Sequence, residues 1–144
     1  MTSRQYRFAL PVVLALLIVL PSCKKNVVGA PGPYQISLSY NAATGQCTQN
    51  NSSGVLDVDD NWTVSYVGAS VTTPFDVEFS SCPFATGKCP VSSPNGGSQN
   101  VGTPVPTSVN NTYYYSSVTI NGQTCNNGPS TFGVHIKPGT MAPK

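Results

Sequence analysis

The chain has 144 residues, 8% of them charged and 39% hydrophobic, and carries a formal net charge of +2. That excess comes from Arg4 and Arg7 alone. Beyond residue 22, Lys24, Lys25, Lys88, Lys137 and Lys144 are matched by Asp57, Asp59, Asp60, Asp76 and Glu78, so there is no basic stripe for nucleic acid and no acidic run for basic partners.

The first element is a leader. Arg4 and Arg7 form a positive n-region, and Phe8 to Leu20 contains no charged or hydrogen-bonding side chain, as in a secretory signal peptide. This apolar run covers thirteen residues, whereas a helix needs roughly 20 to cross a bilayer core. A signal-peptide helix over 1–22 is therefore favoured over a permanent span. The run ends in Leu20-Pro21-Ser22-Cys23, which resembles the lipobox of bacterial lipoproteins: an aliphatic residue, a small residue, then cysteine. The resemblance implies cleavage after Ser22 and diacylation of the Cys23 thiol, with Pro21 as the departure from the usual pattern. The absence of Asp next to Cys23 is the pattern associated with sorting to the outer membrane. The alternative is ordinary cleavage near Ala30 with loss of Cys23.

Cysteine parity points the same way. The five cysteines are Cys23, Cys47, Cys82, Cys89 and Cys125; assigning Cys23 to lipid leaves four, which an oxidising compartment allows to pair. Of three connectivities, Cys82 to Cys89 with Cys47 to Cys125 is preferred, because Cys82 and Cys89 enclose only Pro83 to Lys88. A metal site is the rival, but the chain has one histidine and no C-x-x-C pair.

With the leader removed, 122 residues remain, enough for one domain with a modest core. Residues 23–33 read as a lipidated N-terminus and a tether containing Gly and Pro. Residues 34–144 read as a β domain, since no 3.6-residue periodicity persists while period-2 alternations recur. Tyr34, Ile36, Leu38 and Tyr40 line one face of a first strand. Trp62, Val64 and Tyr66 line the next, followed by Phe75, Val77 and Phe79, with Asp76 and Glu78 turned to solvent. From Pro90 to Asn111 the chain is Gly, Pro, Ser and Asn with little to bury, and reads as a long surface loop. A strand begins near Tyr113 and carries Val118 and Ile120; in Tyr113-Tyr114-Tyr115 the middle ring must face opposite to its neighbours. The last strand buries Phe132, Val134 and Ile136, leaving His135 on the solvated side with Gly133 and Lys137.

Three of these runs are similar to cupredoxins. Trp62-Thr63-Val64-Ser65-Tyr66-Val67 followed by Pro74-Phe75-Asp76-Val77-Glu78-Phe79 resembles a V-x-F/W strand leading to a Pro-His-x-Val-x-Phe strand. Thr112-Tyr113-Tyr114-Tyr115-Ser116 resembles the Tyr-x-Tyr-Cys segment. The resemblance, spanning roughly Val55 to Ile136, implies a Greek-key β-sandwich. It does not carry over the copper, because a blue-copper site needs two imidazoles and a thiolate. Phe75 stands at the first histidine's place and Ser116 at the cysteine's; Cys125, His135 and Met141 follow the family's order at spacings too wide for one ligand loop.

Other constellations are weaker. Asp57, Asp59, Asp60 and Asn61 suggest hard-cation ligands, but Trp62 stands where an EF-hand loop needs glycine, and a turn between strands is the simpler reading. A Ser-His-Asp arrangement would have to use His135, and no G-x-S-x-G elbow occurs. The expectation is thus an all-β, cupredoxin-like sandwich on a lipid-anchored bacterial envelope protein, at the outer membrane or periplasmic face. It would be non-catalytic, without metal or cofactor, serving as a binding or structural module whose partners are the membrane, through its lipid, and an envelope protein or glycan. The tyrosine cluster is the surface feature suited to such a ligand. The alternative function is copper-binding electron transfer with atypical ligands.

Overall fold

In a computed structural model the described residues are 33–128 and 130–139. The signal-peptide helix, Cys23, the tether up to residue 32 and Met141 lie outside them. The first strand, β1 (Pro33–Asn41), follows the alternation of its sequence: Ile36 and Leu38 are fully buried, and Tyr34 and Tyr40 pack against the core from its margins. A turn closed by Gly45 N–H donating to the Asn41 carbonyl (2.8 Å) leads into β2 (Gln46–Gln49), antiparallel to β1. Asn50 and Asn51 then take left-handed backbone angles (φ 47° and 65°), which asparagine tolerates better than most residues. Asn50 Oδ1 fixes the bend by accepting from Ser37 N–H (2.8 Å).

The bend carries the chain into a second layer, starting with β3 (Val55–Asp59). It returns to the first layer in β4 (Thr63–Gly68), which runs parallel to β1. Next come β5 (Phe75–Phe79), β6 (Val91–Ser93), β7 (Ser98–Gly102), β8 (Thr112–Ile120), β9 (Gln123–Thr124) and β10 (Gly133–Lys137). Two mixed sheets result, ordered β2-β1-β4-β7 and β3-β10-β8-β5-β6, with β9 paired to β8. The domain is an all-β sandwich.

Between the sheets lies one apolar core that includes Ile36, Leu38, Val64, Phe75, Val77, Val118, Val134 and Ile136. Burying such a side chain stabilises the fold by about 1.5–3 kcal/mol. Rings of Tyr66, Phe79, Phe84, Tyr115 and Phe132 meet edge-to-face, with centroids 4.9–6.5 Å apart, the arrangement that ring quadrupoles prefer. Phe75 is 3% exposed and belongs to this core. Asp76 is half-buried and Glu78 exposed, on the outer side of β5 as expected.

The segment from Pro90 to Asn111 departs from expectation. It is not one long surface loop but contains β6, β7 and a turn of 3-10 helix, Pro106–Ser108. Val91, Ser93, Val101 and Ser108 are buried within it. Both strands sit at sheet edges and each buries too few side chains for a period-2 pattern to show. The intervening turn is held where Gly96 packs on the Thr72 backbone, a place with no room for a Cβ.

Both disulfides pair as preferred. Cys47–Cys125 (Cα–Cα 5.4 Å) ties β2 of the first sheet to the chain just beyond β9 of the second, and Cys82–Cys89 (6.0 Å) closes the loop after β5. Asn127 clamps the first: its Oδ1 accepts from Cys47 N–H (2.7 Å) and its Nδ2 donates to the Cys47 carbonyl (3.0 Å).

Replacing both Cys47 and Cys125 by alanine should cost about 2–5 kcal/mol in denaturant unfolding. The matching Cys82/Cys89 double variant should cost ~2 kcal/mol less, because that bond closes a sequence separation of 7 rather than 78. Equal losses would deny the chain-entropy account. Phe75→Ala should cost about 3–5 kcal/mol; a neutral result would remove Phe75 from the core.

Candidate functional site

The residues that carried the copper comparison are not brought together. Phe75 pairs with Ile120, not with Ser116, which lies four positions along β8, roughly 13 Å away at ~3.3 Å per residue. Cys125 donates its N–H to Val118, whereas His135 is the register partner of Thr112, six positions along the same strand. The Cys125 sulfur is bonded to Cys47. The acidic run is also divided differently from expectation: Asp57 and Asp59 belong to β3, and only Asp60 and Asn61 lie in the turn. Asp60 Oδ1 accepts from Gly139 N–H (2.6 Å). Among the described residues, no three His, Cys, Asp or Glu side chains are grouped so as to hold a metal ion.

What the fold assembles instead is a polar cluster on the outer face of β3, β10 and β8. Parallel pairing of β10 with β3 sets His135 beside Asp57 and Lys137 beside Asp59; antiparallel pairing with β8 sets His135 beside Thr112 and Gly133 beside Tyr114. Because alternate residues share a face, Val55, Asp57, His135, Lys137, Thr112 and Tyr114 project from one side. His135 Nδ1 lies 3.1 Å from Asp57 Oδ1, and Lys137 Nζ lies 3.1 Å from Asp57 Oδ2. His135 thus lies on the outward side with Lys137, its side chain 34% exposed and paired with Asp57.

The hydrogen bond from His135, then that from Lys137, holds the Asp57 carboxyl below its usual range, against a small opposing effect of burial. With Asp57 ionised, the imidazole must carry its proton on Nδ1 to make this bond, leaving Nε2 free to accept in the neutral ring. A shallow groove of about 550 Å³ opens here, lined by Val55, Leu56, Asp57, Thr112, Tyr114 and His135. Tyr114 thus faces outward, while Tyr115 is buried and Tyr113 packs against the core margin, as strand alternation requires.

No local pattern announced the pairing of Asp57 with His135, 78 positions apart in the chain. The one usable signal was that each falls at an outward position of its own strand. No protein-family model, curated protein or solved structure matches the chain.

Since the folded carboxyl is held low, the Asp57 ties contribute stability above the unfolded carboxylate value near 4 and lose it as pH falls through the lower folded value. The stability difference between wild type and Asp57→Asn should be below about 1 kcal/mol near neutrality, as for an exposed pair. It should shrink toward zero as the pH falls through and below the lowered folded value. A difference that grows on acidification would contradict the pairing.

Proposed function

We propose that this chain is a lipid-anchored protein of the bacterial envelope whose β-sandwich is a non-catalytic binding or structural module. The observation that carries this reading is the pairing of cysteines. Cys47, Cys82, Cys89 and Cys125 are all consumed by disulfides within the domain, which suits an oxidising compartment and leaves Cys23 as the single cysteine beside a lipobox-like Leu20-Pro21-Ser22. The first described strand, β1, starts at Pro33, and the nine residues between it and Cys23 are the stretch we read as the tether.

We read the sandwich as a degenerate relative of cupredoxins. Support comes from the three resembling runs, which coincide with β4, β5 and β8, the last two being hydrogen-bonded neighbours. Catalysis is not part of this reading: His135 is engaged by Asp57 on an open sheet face, and among the described residues no nucleophile is hydrogen-bonded to it. The outer-sheet groove beside Tyr114 is the natural place for a ligand, since it brings an aromatic residue together with the polar side chains of Asp57, Thr112 and His135.

In cells grown with radiolabelled palmitate, the wild-type chain should take up label and Cys23→Ala should be exported without it. Equal labelling of the two, or no labelling of either, would remove the lipoprotein reading.

A further inference from the structure

We propose that the groove on the outer face of β3, β10 and β8 binds an uncharged glycan segment, with Tyr114 as its stacking platform. The proposal rests on reading the domain as a binding module, and goes beyond it in naming the ligand's chemistry.

Three observations carry it. The first is shape. Val55 and Tyr114 are both register partners of Gly133, so they stand two strand spacings apart, about 10 Å, across a residue with no side chain. Gly133 is not freely replaceable, because a Cβ there would collide with the Tyr113 carbonyl. The gap is therefore built into the pairing of β10 with β8. It is open and shallow, which suits a flat ring lying on the sheet better than a deeply enclosed small molecule.

The second is the mixture of surfaces. One wall is the Tyr114 ring and the other is Val55, 39% exposed and, with Val71, one of two large apolar side chains exposed among the described residues. The end of the groove is polar: Asp57, His135 and Thr112. A sugar ring has the same division, with C–H groups on its faces and hydroxyls around its rim. An aromatic face paired with edge-on polar groups satisfies both.

The third is charge. Asp57 is already compensated by Lys137, and the next residue on the same face of β3, Asp59, is the register partner of Lys137. An anion entering here would meet two carboxylates for one ammonium, while a cation would compete with Lys137 for Asp57. An uncharged ligand has no such cost. The groups left to serve it are His135 Nε2, the remaining Lys137 protons, the spare carboxylate lone pairs, the Thr112 hydroxyl and the Tyr114 hydroxyl, a set of donors and acceptors suited to hydroxyls, which both give and receive hydrogen bonds.

The test is an NMR titration of the full chain in detergent micelles with three neutral hexasaccharides, cellohexaose, chitohexaose and mannohexaose, and with hexagalacturonate as the anionic comparison. At least one neutral hexasaccharide should bind saturably, with shifts centred on Thr112, Tyr114 and His135. Tyr114→Ala should weaken it by about tenfold or more, and Tyr114→Phe, which keeps the ring, by no more than about threefold. Val55→Arg, a change at an exposed position that fills the groove, should abolish binding with the fold intact, and serves if Tyr114→Ala does not fold. The proposal is overturned if none of the neutral sugars binds, if their shifts lie elsewhere, or if hexagalacturonate alone binds with salt-sensitive affinity. None of these outcomes depends on the label at Cys23, so the anchor and the ligand stand or fall separately.

Discussion

The sandwich depends on a chain of hydrogen bonds through its interior. Gln49, fully buried at the end of β2, donates from Nε2 to the Gly54 carbonyl (2.9 Å) and to the Gly133 carbonyl, and its Oε1 accepts from the Tyr115 hydroxyl (2.7 Å). The Tyr115 and Tyr66 hydroxyls lie 3.1 Å apart, so the chain reaches from β2 through β8 to β4, across both sheets. Burial pushes both phenols well above their ordinary titration range, so they remain neutral donors. Each bond adds only about 0.5–1.5 kcal/mol net, but a buried group left without its partner costs ~1–3 kcal/mol. A network of this kind therefore acts mainly against wrong arrangements, since any slip of β2, β8 or β10 strands polar groups in the core.

Fixing Gly133 fixes the outer face as well. Gln49 holds the Gly133 carbonyl from inside, and that residue starts β10, the strand between β3 and β8. One position of slip would turn His135 inward and Val134 outward. The Asp57–His135–Lys137 cluster is thus a surface consequence of an interior constraint. The Cys47–Cys125 bond and the Asn127 clamp act on β2 from the same side of the problem, holding the strand that presents Gln49.

The sequence announced the strands whose inward residues are uniformly apolar. Ile36 and Leu38 in β1, Val64 and Tyr66 in β4, Phe75 and Val77 in β5, and Val134 and Ile136 in β10 are all buried at the period their spacing required. Five strands escaped notice for physical reasons. β2 buries the polar Gln49, β6 buries Ser93, β7 contributes only Val101, β3 hides Val58 among aspartates that serve the outer face, and β9 is two exposed residues, Gln123 and Thr124. The site was legible only in part: alternation sent Tyr114 outward, but the proximity of Asp57 and His135 comes from a parallel pairing between strands far apart in the chain, which no local pattern encodes. Likewise the short runs around Phe75 and Ser116 could not show how their strands pair, and the register of β5 on β8 separates the two positions.

The central place of β10 also bears on how the domain is made. A chain that emerges from its N-terminus presents β3 and β8 well before their common neighbour exists, because β10 ends only at Lys137. Until then β3 has no partner in its sheet, the Gln49 amide lacks one of its two carbonyls, and the Asp57 carboxylate lacks both His135 and Lys137. Local pairings such as β1 with β2 and β5 with β6 can form early, but the second sheet closes only when nearly the whole chain is available. A chain arrested short of β10 therefore carries open sheet edges on β3 and β8, and the arrival of β10 supplies both the last carbonyl for Gln49 and the His135 wall of the outer groove.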